Sequence, residues 1–279
     1  MEERKFRLPS EIPIEEWPKP EEFVQEARDL VSAAAEEKLV LRIMGGMAIH
    51  LHSQEVETLW KDLGRLGKKV FTDIDLVSYG KHRVKLLKFF EKRGYSINQR
   101  LLYHYGKTRQ IYYGPKIPMV EIFFDQLAMN HTISYKKRLE LDSPTLPPAE
   151  LLLQKLQMVR MNEKDIKDAI ILLRSHEIGD ADDNMINRQV MVNTLAADWG
   201  FCYTSTENFK KIKDSLKNYD VLKQNDRDIV SERVDILVEQ IESAPKSLKW
   251  KSRSMIGTKA RWYNEVDDWD VIENAEEKD

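Results

Sequence analysis

The chain has 279 residues, with 44 Lys+Arg against 47 Asp+Glu, a formal net charge of −3, 42% apolar residues and 33% charged ones. That composition excludes an intrinsically disordered chain, and the balanced charge argues against a protein whose whole surface grips nucleic acid. The first twenty residues hold Pro9, Pro13, Pro18 and Pro20, which predicts an extended lead-in over 1–20. Phe23, Ala27, Leu30 and Ala34 then recur at helical spacing, predicting a helix over 21–38. Leu39–Met44 is an apolar run that stops at Gly45-Gly46, the pattern of a short buried strand ending in a glycine turn. A helix is expected from Met47 to about Leu63. Val70–Val77 reads as a strand, with Ile74 and Leu76 on one face and Asp73 and Asp75 on the other.

Lys81–Arg93 is helical in pattern and is stopped by Gly94. Strands are expected over 95–105 and 108–113, separated by a turn at Gly106-Lys107, and again over 119–125. Beyond Pro147-Pro148 helical periodicity takes over, with helices expected over 149–161, 163–175, 184–198, 206–216, 226–243 and 247–263. Pro148 suits a first helical turn, and Asn162-x-x-Asp165 an N-terminal cap. The expected architecture is α+β. A mixed β-sheet flanked by helices occupies 21–145, an all-helical domain occupies 146–264, and an acidic tail covers 265–279. The longest unbroken apolar run, Ala169–Leu173, is far shorter than the roughly 20 residues of a membrane span. The charged opening Met1–Arg7 lacks the apolar core of a secretory signal, so a cytoplasmic protein is expected. Cys202 is alone, which excludes a disulfide framework and a cysteine-based metal site.

Asp73 and Asp75 carry the strongest chemical signal. Carboxylates at i and i+2 of a strand share a face about 7 Å apart by strand rise, and like charges that close repel unless a cation lies between them. Hard Mg²⁺ prefers carboxylate and phosphate oxygens. Taken alone, D-x-D reads first as the solvated polar face of an exposed edge strand, since so short a pattern recurs by chance. Gly45-Gly46, between an apolar strand and a helix, allows close backbone approach to a ligand and presents N–H groups at a helix start; an ordinary tight turn has the same sequence. Glu121, between Val120 and Ile122, is an acid in an apolar strand and is expensive to bury without a partner or a metal. Asp125 shares its side of the strand, but stands at the strand's end.

This combination of double glycine, hydrophobic-flanked D-x-D and third strand acid resembles the DNA polymerase β-like nucleotidyltransferase superfamily over residues 39–125. The resemblance implies that Gly45 and Gly46 contact the triphosphate, that Asp73 and Asp75 bind two Mg²⁺ ions, and that Glu121 serves the catalytic metal and helps deprotonate the acceptor. Two departures stand out: 26 residues separate Gly46 from Asp73, a longer gap than the superfamily usually carries, and Gly46 stands where serine is common. Farther on, Glu150–Leu156 with Lys155, then Arg160 and Lys164-Asp165-x-x-Asp168, look like motifs of AbiEii-type toxins and of uncharacterised bacterial nucleotidyltransferase-family proteins. By that likeness Lys155, Lys164, Asp165 and Asp168 belong to the nucleotide site. Their plain readings are a solvated helix lysine, a capping aspartate, and Lys164 and Asp168 facing water opposite a core stripe of Ile166, Ile170 and Leu173.

Nucleotidyl transfer from an NTP to a hydroxyl acceptor (an RNA end, a protein side chain or a small molecule) is the implied activity, and a toxin–antitoxin enzyme one setting for it. The alternative is a non-catalytic nucleotide-binding or RNA-binding protein of the same fold. His50 and His52 lie two apart on an expected helix, where they do not share a face, and read as ordinary. His131 reads as a loop residue with no visible partner. Lys246–Tyr263 holds six Lys/Arg and no acid, interleaved with Trp250 and Trp262. That composition suits a base-stacking surface, and equally a basic helix docked against the acidic tail.

Overall fold

The computed structural model describes residues 6–64 and 70–266; the expected acidic tail from Asp267 onward lies outside them. The lead-in is not fully extended, since two short 3₁₀ turns interrupt it at Pro9–Glu11 and Ile14–Glu16. It is fastened by Phe6 stacked on Tyr113 at 4.1 Å and by the Trp17 Nε1–H donating to the Phe71 carbonyl at 3.1 Å.

Helix α1 (Pro20–Glu36) starts with Pro20 in its first turn and buries Phe23, Ala27, Leu30 and Ala34, the stripe its spacing predicts. Strand β1 (Leu41–Ile43) ends at Met44, and helix α2 (Gly45–His52) opens directly on the two glycines. The single helix expected over 47–63 is instead broken after His52. A 3₁₀ turn at Gln54–Val56 precedes a short α3 (Glu57–Asp62). Strand β2 (Ile74–Ser78) is followed by α4 (Arg83–Glu91), which Gly94, at φ +80°, helps to end.

The expected strand over 95–105 does not form. Only Ser96–Ile97 (β3) is extended, because the Asn98 side chain accepts from the amides of Arg100 and Leu101 and caps α5 (Gln99–Tyr105). Strands β4 (Arg109–Tyr113) and β5 (Val120–Phe124) follow, then a hairpin of β6 (Gln126–Ala128) and β7 (Thr132–Ser134) that the periodicity did not signal.

The main sheet has the order β1-β2-β5-β4-β3 and is mixed: β2 and β5 run parallel, the other pairs antiparallel. In the parallel pair Asp75 lies opposite Glu121 and Val77 opposite Phe123.

Nine helical residues of α6 (Pro148–Leu156) are all buried, so this helix runs through the middle of the molecule. Helix α7 (Glu163–Ser175) matches its expected span. A two-stranded ribbon of β8 (Ile178–Gly179) and β9 (Ile186–Asn187) leads into α8 (Arg188–Ala197). Helix α9 (Trp199–Ser215) begins seven residues earlier than its periodicity suggests, because Asp198 caps the Phe201 amide at 2.7 Å. Helices α10 (Gln224–Ser243) and α11 (Leu248–Ile256) complete the helical region. One apolar core runs unbroken from Phe23 of α1 through the sheet residues Ile74, Leu76 and Ile122 to Ile241 of α10. The fold is α+β: a mixed sheet flanked by helices, followed by a helical C-terminal region. Among the described residues no helix is long and apolar enough to cross a membrane.

Candidate active site

Strand β2 starts at Ile74, four residues later than the expected Val70, so Asp73 stands just before the strand. Alternation turns Asp75 away from Ile74 and Leu76, and Asp73 lines the same cleft. Parallel register then sets Glu121 beside Asp75 on the same face, about 4.8 Å away between strands. Glu121 is 6% exposed. All three line one cleft of about 280 Å³, whose walls include Gly45, Gly46, Gln154, Lys155, Lys164 and Asp165. Asp125 is not part of it. A left-handed φ of +63° turns that residue out of the strand, and its Oδ1 accepts the Gly80 amide at 3.0 Å.

The glycine turn is built against the acids. Gly45 has φ +66°, a conformation disfavoured for other residues, and a Cβ there would meet Asp75 Oδ2 at 2.6 Å. The Met44 amide donates to the Asp75 carbonyl at 2.9 Å. The Gly45 amide is engaged as well, donating to Gln154 Oε1 at 3.0 Å, while Gln154 Nε2 donates to the buried Tyr135 hydroxyl at 2.9 Å. Gln154 therefore clamps the turn from α6.

Lys155, the next residue, is 8% exposed rather than solvated. Its Nζ reaches Asp165 Oδ1 at 3.1 Å and Asp168 Oδ2 at 2.9 Å. This overturns the plain reading of the second motif, because Asp168 is 1% exposed and points inward to Lys155. Asn162 caps α7 by accepting the Asp165 amide at 2.9 Å, so the Asp165 carboxylate is not used as the cap and pairs with Lys155 at the cleft wall. Lys164, half-buried, lines the same cleft.

Sequence reasoning missed two cleft residues of consequence. Gln154 carried a faint signal, being polar within the run Leu151–Leu156. Arg109 carried none. It lies on β4 opposite Phe123, its guanidinium Nη2 donates to Glu121 Oε1, and its head group lies over the Phe123 ring at 5.1 Å.

Burial holds the Asp75 carboxyl well above the usual carboxylate range, and the negative charges of Asp73 and Glu121 push it further; Lys155 and Arg109 oppose them. Thr72 Oγ1 donates to Asp73 Oδ1 at 3.0 Å. Among the described residues no three His, Cys, Asp or Glu side chains converge as a ready-made metal set. Mg²⁺ does not require one, since it is commonly held by one or two carboxylates with substrate phosphates and water filling the octahedron. Two aspartates lining one cleft, with the Glu121 carboxylate beside Asp75, fit that ion.

The remaining candidates are structural. His50 packs on Trp60 at 4.3 Å, and His52 Nε2 lies 2.8 Å from Thr145 Oγ1 and 3.2 Å from Asp142 Oδ2. His131, expected to be a loop residue without a partner, is buried, stacked on Phe201 at 4.9 Å, and lies with its Nε2 2.8 Å from Thr204 Oγ1. In the basic segment the rings largely serve packing. Trp199 stacks on Tyr203 at 5.3 Å and carries Arg253 over its ring at 4.6 Å, while Trp262 meets Tyr203 edge-on and donates to Thr204. Glu265 pairs with Arg261 at 2.8 Å. Docking against residues 267–279 lies outside the described residues.

No family model matches the chain, and a search of curated proteins finds no match. Among solved structures the chain is similar to an antigenic nucleotidyltransferase-like protein from Paracoccidioides brasiliensis, at 15% identity and a TM-score of 0.37, over 64% of this chain and 89% of that one.

Proposed function

We propose that the cleft is the active site of a Mg²⁺-dependent nucleotidyltransferase. The observation that carries the reading is the register of β2 and β5, which sets Glu121 beside Asp75, with Asp73 lining the same cleft and the Gly45 turn packed against Asp75. In the reaction an acceptor hydroxyl oxygen bonds to the α-phosphorus of an NTP. The bond from that phosphorus to the bridging oxygen breaks, pyrophosphate leaves, and the hydroxyl proton passes to solvent.

Asp73 and Asp75, with Glu121 beside them, would hold Mg²⁺, which when bound would neutralise charge on the phosphates and lower the pKa of the attacking hydroxyl. The chain's own groups do the rest. The turn at Gly45 and Gly46 brings backbone close to the triphosphate without a side chain in the way. Lys155, fixed by Asp165 and Asp168, presents an ammonium of set position, and Lys164 adds positive charge at the cleft wall. Met47, Met129 and Met158 line the cleft and give a wall that adapts to the acceptor.

The test is pyrophosphate release from a panel of NTPs in Mg²⁺, with candidate acceptors present. The expected result is release by the wild-type chain and loss of it in Asp73→Asn/Asp75→Asn, folded as judged by circular dichroism. Release that survives both substitutions defeats the proposal.

A further inference from the structure

Three carboxylates lining one cleft need positive charge close by, and the cleft already holds some. Lys155, at the cleft wall, is held by Asp165 and Asp168. While the charge of Lys155 acts on Asp75, Arg109 forms a direct ion pair with the strand acid Glu121. Its side chain is 15% exposed and that of Glu121 7%, so the pair is shielded from water at the sheet surface. Arg109 reaches Glu121 from the neighbouring antiparallel strand, stacked over Phe123, which the register places one step along the same face. A guanidinium on that carboxylate and a divalent ion bound to it cannot share the same oxygen.

We propose that Arg109 is a resident cation. It occupies Glu121 while the cleft is empty, and moves onto the phosphates when a metal-bound nucleoside triphosphate arrives. This rests on the function proposed above and assigns a role to a residue outside its acid and glycine set. The exchange follows from the charges. A divalent ion arriving alone must evict the guanidinium from a buried partner and leave it without one, which is costly. A metal–nucleotide complex brings phosphate oxygens, to which guanidinium pairs in bidentate fashion. Metal and nucleotide therefore bind with positive coupling, and by linkage each strengthens the other equally. Arg109 is a positioning residue for the metal and a binding residue for the phosphates.

The experiment uses the full chain, Mn²⁺ as the probe ion read by loss of its free electron paramagnetic resonance signal, and a non-hydrolysable ATP analogue read by calorimetry. In Arg109→Gln, Mn²⁺ binding without nucleotide tightens by about tenfold, because no charge has to be evicted from Glu121. In Arg109→Lys, which keeps the ion pair and so the fold, Mn²⁺ binding without nucleotide stays within about twofold of wild type. Affinity for the Mn²⁺–analogue complex, however, falls by about tenfold with the loss of the bidentate donor.

Unchanged or weaker Mn²⁺ binding in Arg109→Gln overturns the proposal, and so does unchanged analogue affinity in Arg109→Lys. The second readout stands if the glutamine variant does not fold. Failure of the wild-type chain to bind Mn²⁺ with or without the analogue overturns the nucleotidyltransferase reading itself, and the exchange with it. Wild-type binding of the Mn²⁺–analogue complex with no response to either substitution leaves that reading standing and removes only the role of Arg109.

Discussion

Gly45 shows how much of the site hangs on single atoms. Its left-handed φ of +66° strains any other residue, and a Cβ there also collides with Asp75 Oδ2. Gly64 separates the two effects, since its φ is +59° but nothing lies within 4 Å of a Cβ built on it. Gly64→Ala should lose about 1 kcal/mol of stability from backbone strain alone, whereas Gly45→Ala should lose about 2–3 kcal/mol and impair pyrophosphate release. Urea melts of the two variants measure the difference; equal losses would mean that Asp75 does not pack against the turn.

Lys155 poses the complementary question, whether a cleft lysine is structural, chemical or both. Lys155→Met leaves Asp165 and Asp168 buried without their cation, and breaking one side of a buried pair in this way costs about 3–5 kcal/mol. Asp165→Asn removes one of two anions from a lysine that keeps the other, so it should cost less than half as much. A small and equal effect of both would show that the network is solvated. The sequence points to Asp73, Asp75 and Glu121 because strand parity and apolar flanks report which face an acid takes. Arg109 is invisible to that logic, since its place beside Glu121 depends on strand order and register.

At the scale of elements, α6 explains why the site is held firmly. A helix buried along its whole length has nowhere to send polar side chains but into partners. Glu150 pairs with Arg138, Gln154 holds Gly45, and Lys155 meets α7. Its apolar run, the span of α7 and the β2, β4 and β5 strands were legible from periodicity. The segment 95–105 was not, because aromatic and β-branched residues there favour a strand until Asn98 caps α5 locally. The 126–134 hairpin was missed because three-residue strands are too short to show a period.

That hairpin also anchors the far end of the chain. Asn264 N–H donates to the Asn130 carbonyl at 2.9 Å, Asn130 Nδ2 donates to the Asn264 carbonyl at 2.8 Å, and Trp262 seats its carbonyl where a Cβ on Gly200 would be. Since Leu127 and Met129 of the same hairpin line the cleft, the docked segment braces the cleft from behind. Trp262→Ala should cost at least about 2 kcal/mol and speed amide hydrogen exchange in 126–134. Destabilisation without faster exchange there would place the bracing elsewhere.

For the whole molecule, two buried imidazoles tie stability to pH. Burial drives His131 down to about 4, against a small opposing pull from Asp198; burial likewise drives His176 to about 4, where the Asn184 carbonyl and Asp142 raise it and His52 and Arg233 lower it. In the unfolded chain both titrate near 6.5, so the unfolded state takes up protons first. The stability that depends on neutral rings is therefore complete above about pH 6.5 and is lost as pH falls from there through about 4. Each ring accounts for up to roughly 3 kcal/mol over that window. Asp142 adds to the loss only at lower pH still: burial raises its carboxyl, but hydrogen bonding and charge from His52 outweigh that and leave it below its ordinary value of about 3.8. Asp75 and the buried Glu150 work against the trend, because burial raises both carboxyls and lets the folded state bind protons as the medium acidifies. The two histidines carry the slope between about pH 6.5 and pH 4.5, so the urea midpoint should fall steadily across that window. His176→Gln lowers stability at neutral pH by breaking its bond to Asn184, but it should flatten the slope over this window by roughly half. The slope, not the midpoint, is the informative quantity, and a variant as acid-sensitive as the wild type would place the proton uptake at other groups.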